Sequence, residues 1–384
     1  MNAFEFQTVS TIIYEYGAAR KLGEILRQRY ALKRLCLITD GFLHRSGLLE
    51  PALESLAKAG WEVCIIDDVI ADPPEDVVLA AAKRARDSRS EVVVGMGGGS
   101  SMDVAKLIAV LLASAQPLAD MYGIGKVAGA RLPLVQIPTT AGTGSEVTCV
   151  SIVTTGATTK SGVVAPQLYA DIAILDAELT LGLPAAATAA TGIDAMVHAI
   201  EAYTTRHKKN ALSDNLARQA LSLLSANLLT ACNNGSDRHA REAMLLGAML
   251  AGQAFANAPV AAVHALAYPL GGNFHVPHGL SNSLVLPHVL RFNVEAAAPL
   301  YAELASIVLP QVSGSAAARA DAFIDYCAGL AGQTRIPCSL REVGVKGDDL
   351  SMLARDAMKQ TRLLVNNPRD VSEADAYAIY EAAF

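Results

Sequence analysis

The sequence predicts a chain in two parts: an α/β part built on a parallel sheet, then an all-helical part. Three observations carry this. Short apolar strands alternate with helix-length segments as far as Asp176, one of those strands runs into a glycine turn, and strand patterns stop near Pro184.

Five runs read as strands in the first part. They are "RLCLITDG" (34–41), "WEVCIID" (61–67), "EVVVGMGGGS" (91–100), "LPLVQIPTT" (132–140) and "YADIAILD" (169–176). Each is β-branched or continuously apolar, as strands covered on both faces are. Between them, "GLLEPALESLAKAG" (47–60) and "PEDVVLAAAKRARDS" (74–88) have helix length and composition. After "LTLGLP" (179–184) the pattern changes. "SDNLARQALSLLSANLLTAC" (213–232) and "DDLSMLARDAMKQTRLLV" (348–365) repeat apolar residues at the helical period, and no convincing strand appears. The expected domains are therefore 1–184 and 185–384.

Composition narrows the partners. Of 384 residues, 52% are hydrophobic, which supplies two cores and argues against disorder. A net charge of −6 leaves no electrostatic footprint for nucleic acid or an anionic membrane surface. Six cysteines without CxxC spacing suit a reducing compartment, and "MNAFEFQTVSTIIYEYG" lacks the basic and apolar regions of a signal peptide. A cytoplasmic location is expected. Residues 243–290 contain no acid, Lys or Arg, and 243–263 is long enough to cross a bilayer. Gln253, Asn257 and Pro259 interrupt that stretch, so a buried central helix is the expectation and no membrane contact is expected.

"VVVGMGGGSSMDVAK" (92–106) reads as strand, glycine turn and helix start. Gly97, Gly98 and Gly99 let backbone N–H groups approach a phosphate, and Ser100 or Ser101 is placed to cap the helix. Asp40 ends an earlier strand, where a carboxylate can accept the hydroxyls of an adenosine ribose and repel a 2′-phosphate, favouring NAD over NADP. The same residue also suits a plain turn before Gly41. "PTTAGTGSEVT" (138–148) supplies a further polar loop, suited either to lining a ligand or to a Ser/Thr turn.

In "TGIDAMVHAIEAYT" (191–204), Asp194 and His198 are spaced to share one helix face. Their neighbours are apolar, and a buried carboxylate needs a counter-charge that a divalent cation supplies. His264 and His278, in the uncharged "HALAYPLGGNFHVPHG" (264–279), complete the set, with Pro269, Gly271, Gly272 and Pro277 expected to turn the chain between them. One carboxylate oxygen and three imidazoles suit Fe(II) or Zn(II).

These motifs resemble the iron-containing (group III) alcohol dehydrogenase family. "GGGSSMDVAK" is similar to its GGGSxxDxAK turn, "PTTAGTGSE" to its Thr/Gly/Ser loop and "GIDAMVHAIEAYTT" to the helix with the first two metal ligands. His264 and His278 fall on its H-x13-H spacing, and "NNPRDV" resembles its tail. The resemblance implies a Rossmann-like dinucleotide-binding domain and an all-helical metal-binding catalytic domain, an architecture like that of dehydroquinate synthase. It implies Fe(II), Zn(II) or another divalent metal on Asp194, His198, His264 and His278. NAD would lie along Asp40, Gly97, Gly98, Gly99, Ser100, Asp103, Thr139, Thr140, Thr143 and Lys160. A small alcohol or carbonyl substrate and a homodimer are implied too.

Two departures from the family pattern stand out. Tyr268 occupies a position where many members have a histidine used for proton relay or cofactor contact. A tyrosine hydroxyl ordinarily titrates near about 10, so it is a poorer acid–base group. His275 is the alternative relay, or else a surface or supporting residue. Asp72 stands where Asn often precedes Pro. Hydroxyacid–oxoacid members also carry tyrosine at the Tyr268 position, so a hydroxy acid such as 4-hydroxybutyrate is the second substrate class. A dehydroquinate-synthase-like lyase would need Lys and Arg beside the metal, which 243–290 lacks, and a metal- and nucleotide-binding sensor would bind without turnover.

Overall fold

The computed structural model describes residues 3–156 and 158–384. The chain forms two compact units. One comprises Thr8–Thr140 and Gly144–Leu181, and the other comprises Gly182–Phe384, Ala141–Thr143 and the N-terminal stretch up to Gln7.

The first unit contains β1 (Thr11–Tyr14), α1 (Leu22–Arg27), β2 (Arg34–Asp40), α2 (Gly41–Arg45), α3 (Glu50–Lys58), β3 (Glu62–Val69) and α4 (Glu75–Asp87). These are followed by β4 (Val92–Gly97), α5 (Gly99–Ala113), β5 (Gly123–Ile124), β6 (Leu134–Pro138), β7 (Val150–Thr155), β8 (Thr159–Val164) and β9 (Ile172–Leu175). The five expected strands are β2, β3, β4, β6 and β9. They join β1 in a six-stranded parallel sheet ordered β1-β9-β6-β4-β2-β3. Leu37 pairs with Val94, and Val94 with Val135, which aligns the ends of β4 and β6. Leu35, Leu37, Val92, Val94, Val135, Ile137, Ile172 and Ile174 are buried with Leu22, Leu26, Leu49, Leu56 and Trp61 in one core. Burial of both sheet faces explains why these strands read as continuous apolar runs.

β5, β8 and β7 form a second, three-stranded sheet that the sequence did not announce. β7 and β8 pair antiparallel from Val150↔Val164 to Thr155↔Thr159. Valine and isoleucine are mixed there with Ser, Thr, Lys and Gly, and only a few positions are fully buried, so no continuous apolar run marks either strand.

The second unit is all-helical: α6 (Ala185–Thr204), α7 (Ala211–Asn233), α8 (Arg238–Asn257), α9 (Ala262–Phe274), α10 (His278–Val308), α11 (Ala316–Thr334), α12 (Leu350–Ala357), α13 (Thr361–Leu364) and α14 (Glu373–Ala383). α6 is nearly all buried and packs against α7, α8 and α10. Its Ala and Gly residues allow that many neighbours.

The structure corrects the sequence reading in four places. A single cut at 184 fails because Gln7 exchanges two hydrogen bonds with Asn257 of α8, at 2.7 and 2.9 Å, and Gly142 lies against Thr191 of α6. Residues 243–263 are not one continuous helix: α8 ends at Asn257, α9 begins at Ala262 and the two meet at a bend of 107°, and no single helix is long and apolar enough to cross a membrane among the described residues. Pro269, Gly271 and Gly272 do not turn the chain but lie inside α9. Proline's fixed φ is compatible with a helix and costs one hydrogen bond, and the Tyr380 hydroxyl donates to Leu266 O in the same stretch at 2.6 Å. Finally, 348–365 divides into α12 and α13.

Candidate active site

At the turn after β4, Gly98 is the N-cap of α5 in an extended conformation, so the helix begins at Gly99. Ser100 and Ser101 therefore lie in the first turn, and neither supplies the side-chain cap expected of it. Instead the first-turn N–H groups stay open for an anion. A Cβ on Gly97 would come within 2.7 Å of Ser101 Oγ, so the turn admits no side chain there. Thr140 flanks Gly98, and Thr139 is buried, its N–H bonded to Gly97 O at 3.0 Å. Thr143 groups with the helical unit.

Two expected cofactor residues are committed elsewhere. Asp103 Oδ1 accepts from Ser145 Oγ at 2.6 Å and from Lys106 Nζ at 3.3 Å, while its Oδ2 accepts from Ile152 N at 2.9 Å. It anchors α5 to the following loop. Lys106, with its side chain fully buried, also donates to Ser145, Thr148 and Val150 O. Burial pulls its pKa down against the neighbouring Asp103. Lys160 Nζ pairs with Asp72 Oδ1 at 2.6 Å and donates to Thr154 Oγ1. The Asp72 departure is thus a counter-ion for Lys160.

Asp40 combines its two sequence readings. Its Oδ1 accepts the N–H groups of Phe42 and Leu43, both at 2.9 Å, capping α2. Capping leaves Oδ2 without a hydrogen bond among the described residues.

In the helical unit, Asp194, His198, His264 and His278 each offer one ligand atom, and all four atoms lie within 4.8 Å of one another. Asp194 Oδ1 is 4.0 Å from His198 Nε2, 3.8 Å from His264 Nε2 and 3.7 Å from His278 Nε2. Asp194 and His198 share a face of α6 one turn apart. His264 is in the first turn of α9, and His278 is the first residue of α10. A Cβ on Gly279 would fall 2.3 Å from Ala190 O, so only glycine lets α10 start this close to α6.

The donor set fits a divalent cation. His264 Nδ1 faces Glu201 Oε2 at 2.6 Å; the carboxylate accepts a hydrogen bond from the ring's Nδ1–H, so Nε2 carries a lone pair. That Nε2 stands 3.0 Å from His198 Nε2. Two nitrogen donors so close, beside a buried carboxylate oxygen, are reconciled by a cation they share. Burial opposes the charge on Asp194, but His198, His278, His264 and the Asn282 amide together hold its pKa below the usual range. Burial pushes His198 down to about 3 against the pull of Asp194, leaving it neutral and able to ligate.

Phe255 stacks on His198 with ring centres 4.3 Å apart, and Tyr268 stands 5.9 Å from His278. His275 is not drawn in: it is exposed and ends α9 in the left-handed region, at φ 55°. Three supporting residues escaped the sequence reading. Glu201 carried a signal, being seven residues after Asp194 on the same helix face. Asn282, one turn after His278, carried the same kind of signal, whereas Phe255 carried none.

The chain matches two family models: "Iron-containing alcohol dehydrogenase" over residues 10–177, and the C-terminal model of the Fe-containing alcohol dehydrogenase family over 188–384. It is 40% identical over 361 residues to long-chain-alcohol dehydrogenase 1 of Geobacillus thermodenitrificans, covering 93% of this chain and 91% of that one. It is 36% identical to the NAD-dependent methanol dehydrogenase of Bacillus methanolicus, with 96% of each covered. A crystal structure of 1,3-propanediol oxidoreductase superposes over 100% of both chains, at 34% identity and a TM-score of 0.96. With the models spanning both units, the chain belongs to the iron-containing alcohol dehydrogenase family and is an enzyme of alcohol–carbonyl oxidoreduction.

Proposed function

We propose that this enzyme interconverts small alcohols and their aldehydes or ketones with NAD and Fe(II), and that Asp194, His198, His264 and His278 hold the metal. The convergence of one buried carboxylate oxygen and three imidazole nitrogens carries the reading. When bound, the cation supplies a Lewis acid for the substrate oxygen and NAD a hydride acceptor.

The chain's own residues supply placement. Glu201 fixes the ring of His264, and Phe255 covers one face of His198. Gly97, Gly98, Gly99 and Ser100 present backbone N–H groups to the pyrophosphate, with Thr139 and Thr140 beside them and Thr143 on the following loop. Asp40 Oδ2 takes a ribose hydroxyl. Asp103 and Lys160 act at one remove, by holding the loops that frame the dinucleotide. The α/β unit is then the dinucleotide-binding domain and the helical unit the catalytic one. Tyr268, beside His278, is the group placed to pass the hydroxyl proton, and His275 serves the end of α9 instead.

A cytoplasmic homodimer suits the remaining features. All six cysteines are free, and β1 is an edge strand with exposed Ile12 and Tyr14.

The test is anaerobic Fe(II) loading followed by NAD-linked oxidation of short alcohols, diols and 4-hydroxybutyrate in parallel. Turnover of the neutral alcohols is expected. Turnover of the hydroxy acid alone, the class that Tyr268 favours, would replace the alcohol reading. Binding of metal and NAD with no turnover of this panel would place the substrate outside short alcohols, diols and hydroxy acids.

A further inference from the structure

The geometry points to Asn282 as a positioning residue of the metal site, whose carboxamide N–H sets the cation-facing oxygen of Asp194. The inference rests on the metal reading above.

Asn282 is fully buried on α10, one turn after His278. Its Nδ2 donates to Asp194 Oδ1 at 2.6 Å. That oxygen is the same atom that faces the Nε2 atoms of His198, His264 and His278. Nδ2 also stands 3.3 Å from both His264 Nε2 and His278 Nε2. One amide nitrogen therefore touches three of the four donor groups, whereas Asn282 Oδ1 is buried with no partner among the described residues.

That asymmetry decides which way the amide faces. Reversing it would set a carbonyl oxygen against a carboxylate oxygen at hydrogen-bond distance, with no proton between them. The N–H must face Asp194, at the cost of an unpaired buried carbonyl. Two consequences follow for a cation held on Asp194 Oδ1. The carboxylate cannot swing away, so the site is set before the metal arrives. The N–H also draws off part of the oxygen's negative charge, leaving the cation a stronger electrophile for the substrate oxygen.

The test uses the full-length protein and Co(II), whose visible absorption reports the ligand field. Wild type should bind one equivalent, and His264→Ala none. If wild type fails to bind, or His264→Ala binds equally, the metal reading falls and this inference with it. Once binding is established, Asn282→Leu should weaken Co(II) affinity about 10- to 100-fold and shift its visible absorption. Asn282→Ala serves in its place should the Leu variant misfold, judged by circular dichroism before metal is added. Wild-type affinity and spectrum in either folded variant would overturn the inference. Weaker binding with an unchanged spectrum would overturn it too, by assigning Asn282 to packing alone.

Discussion

Glu201 grips His264 at two levels. Its Oε2 meets the ring Nδ1 at 2.6 Å, and its Oε1 accepts the N–H of Val263, the preceding residue, at 2.7 Å. One buried carboxylate on α6 thereby sets both the backbone entry of α9 and the rotation of the imidazole that α9 carries. Glu201→Gln keeps the shape but loses the charge that holds the ring proton. Its metal affinity should fall about 10- to 100-fold. Competition against a chelator of known affinity measures this, and an unchanged constant would mean that α9 packing alone orients His264.

Gly279→Ala tests the approach of α10 to α6. The added methyl falls 2.3 Å from a backbone carbonyl, which cannot rotate away. The variant should lose about 1–3 kcal/mol in urea unfolding, as overpacked sites do. It should also bind less metal, because His278 moves with the start of α10. Normal metal content in a destabilised variant would separate the helix crossing from the site.

The two roles of Asp40 separate with Asp40→Asn. Asparagine caps a helix as well as aspartate, so thermal stability should hold. The repulsion of a 2′-phosphate should go, so the ratio of kcat/KM for NAD to that for NADP should fall by about tenfold or more, the effect of roughly 1.4 kcal/mol. An unchanged ratio would remove Asp40 from the ribose site.

Glu146 predicts a pH dependence of stability in the α/β unit. Burial pushes its carboxyl up to about 7 from the ordinary 4.5, despite the opposing charge of Lys106. Between those values the folded chain binds more protons at this residue than the unfolded chain does. Its contribution to stability therefore falls as pH rises from about 4.5 to about 7, and levels off above that. Glu146→Gln should flatten this part of the profile. Urea midpoints at pH 5, 6 and 7 for both proteins check it, and parallel slopes would show that Glu146 does not titrate in this range.

Local chemistry made much of the molecule readable in advance. β2, β4, β6 and β9 are buried on both faces, so apolar continuity is imposed on the sequence itself. Asp194 and His198 are readable because helix geometry converts a spacing of four into a shared face. The Asp194–His198 pair and the glycine turn are thus properties of short stretches, whereas His264 and His278 join that pair only where α6, α9 and α10 meet.

What only the tertiary structure decided depends on distant partners. Asp103 and Lys160 became loop anchors because Ser145, Ile152 and Asp72 come to meet them. Ser100 lost its capping role when the backbone started α5 at Gly99. The small sheet of β5, β7 and β8 is held by pairing, not by apolar pattern. Glu201 and Asn282 looked like ordinary helix residues until α6, α9 and α10 converged. A buried polar side chain takes its role from the atom at the far end of its hydrogen bond, and folding alone brings that atom within reach.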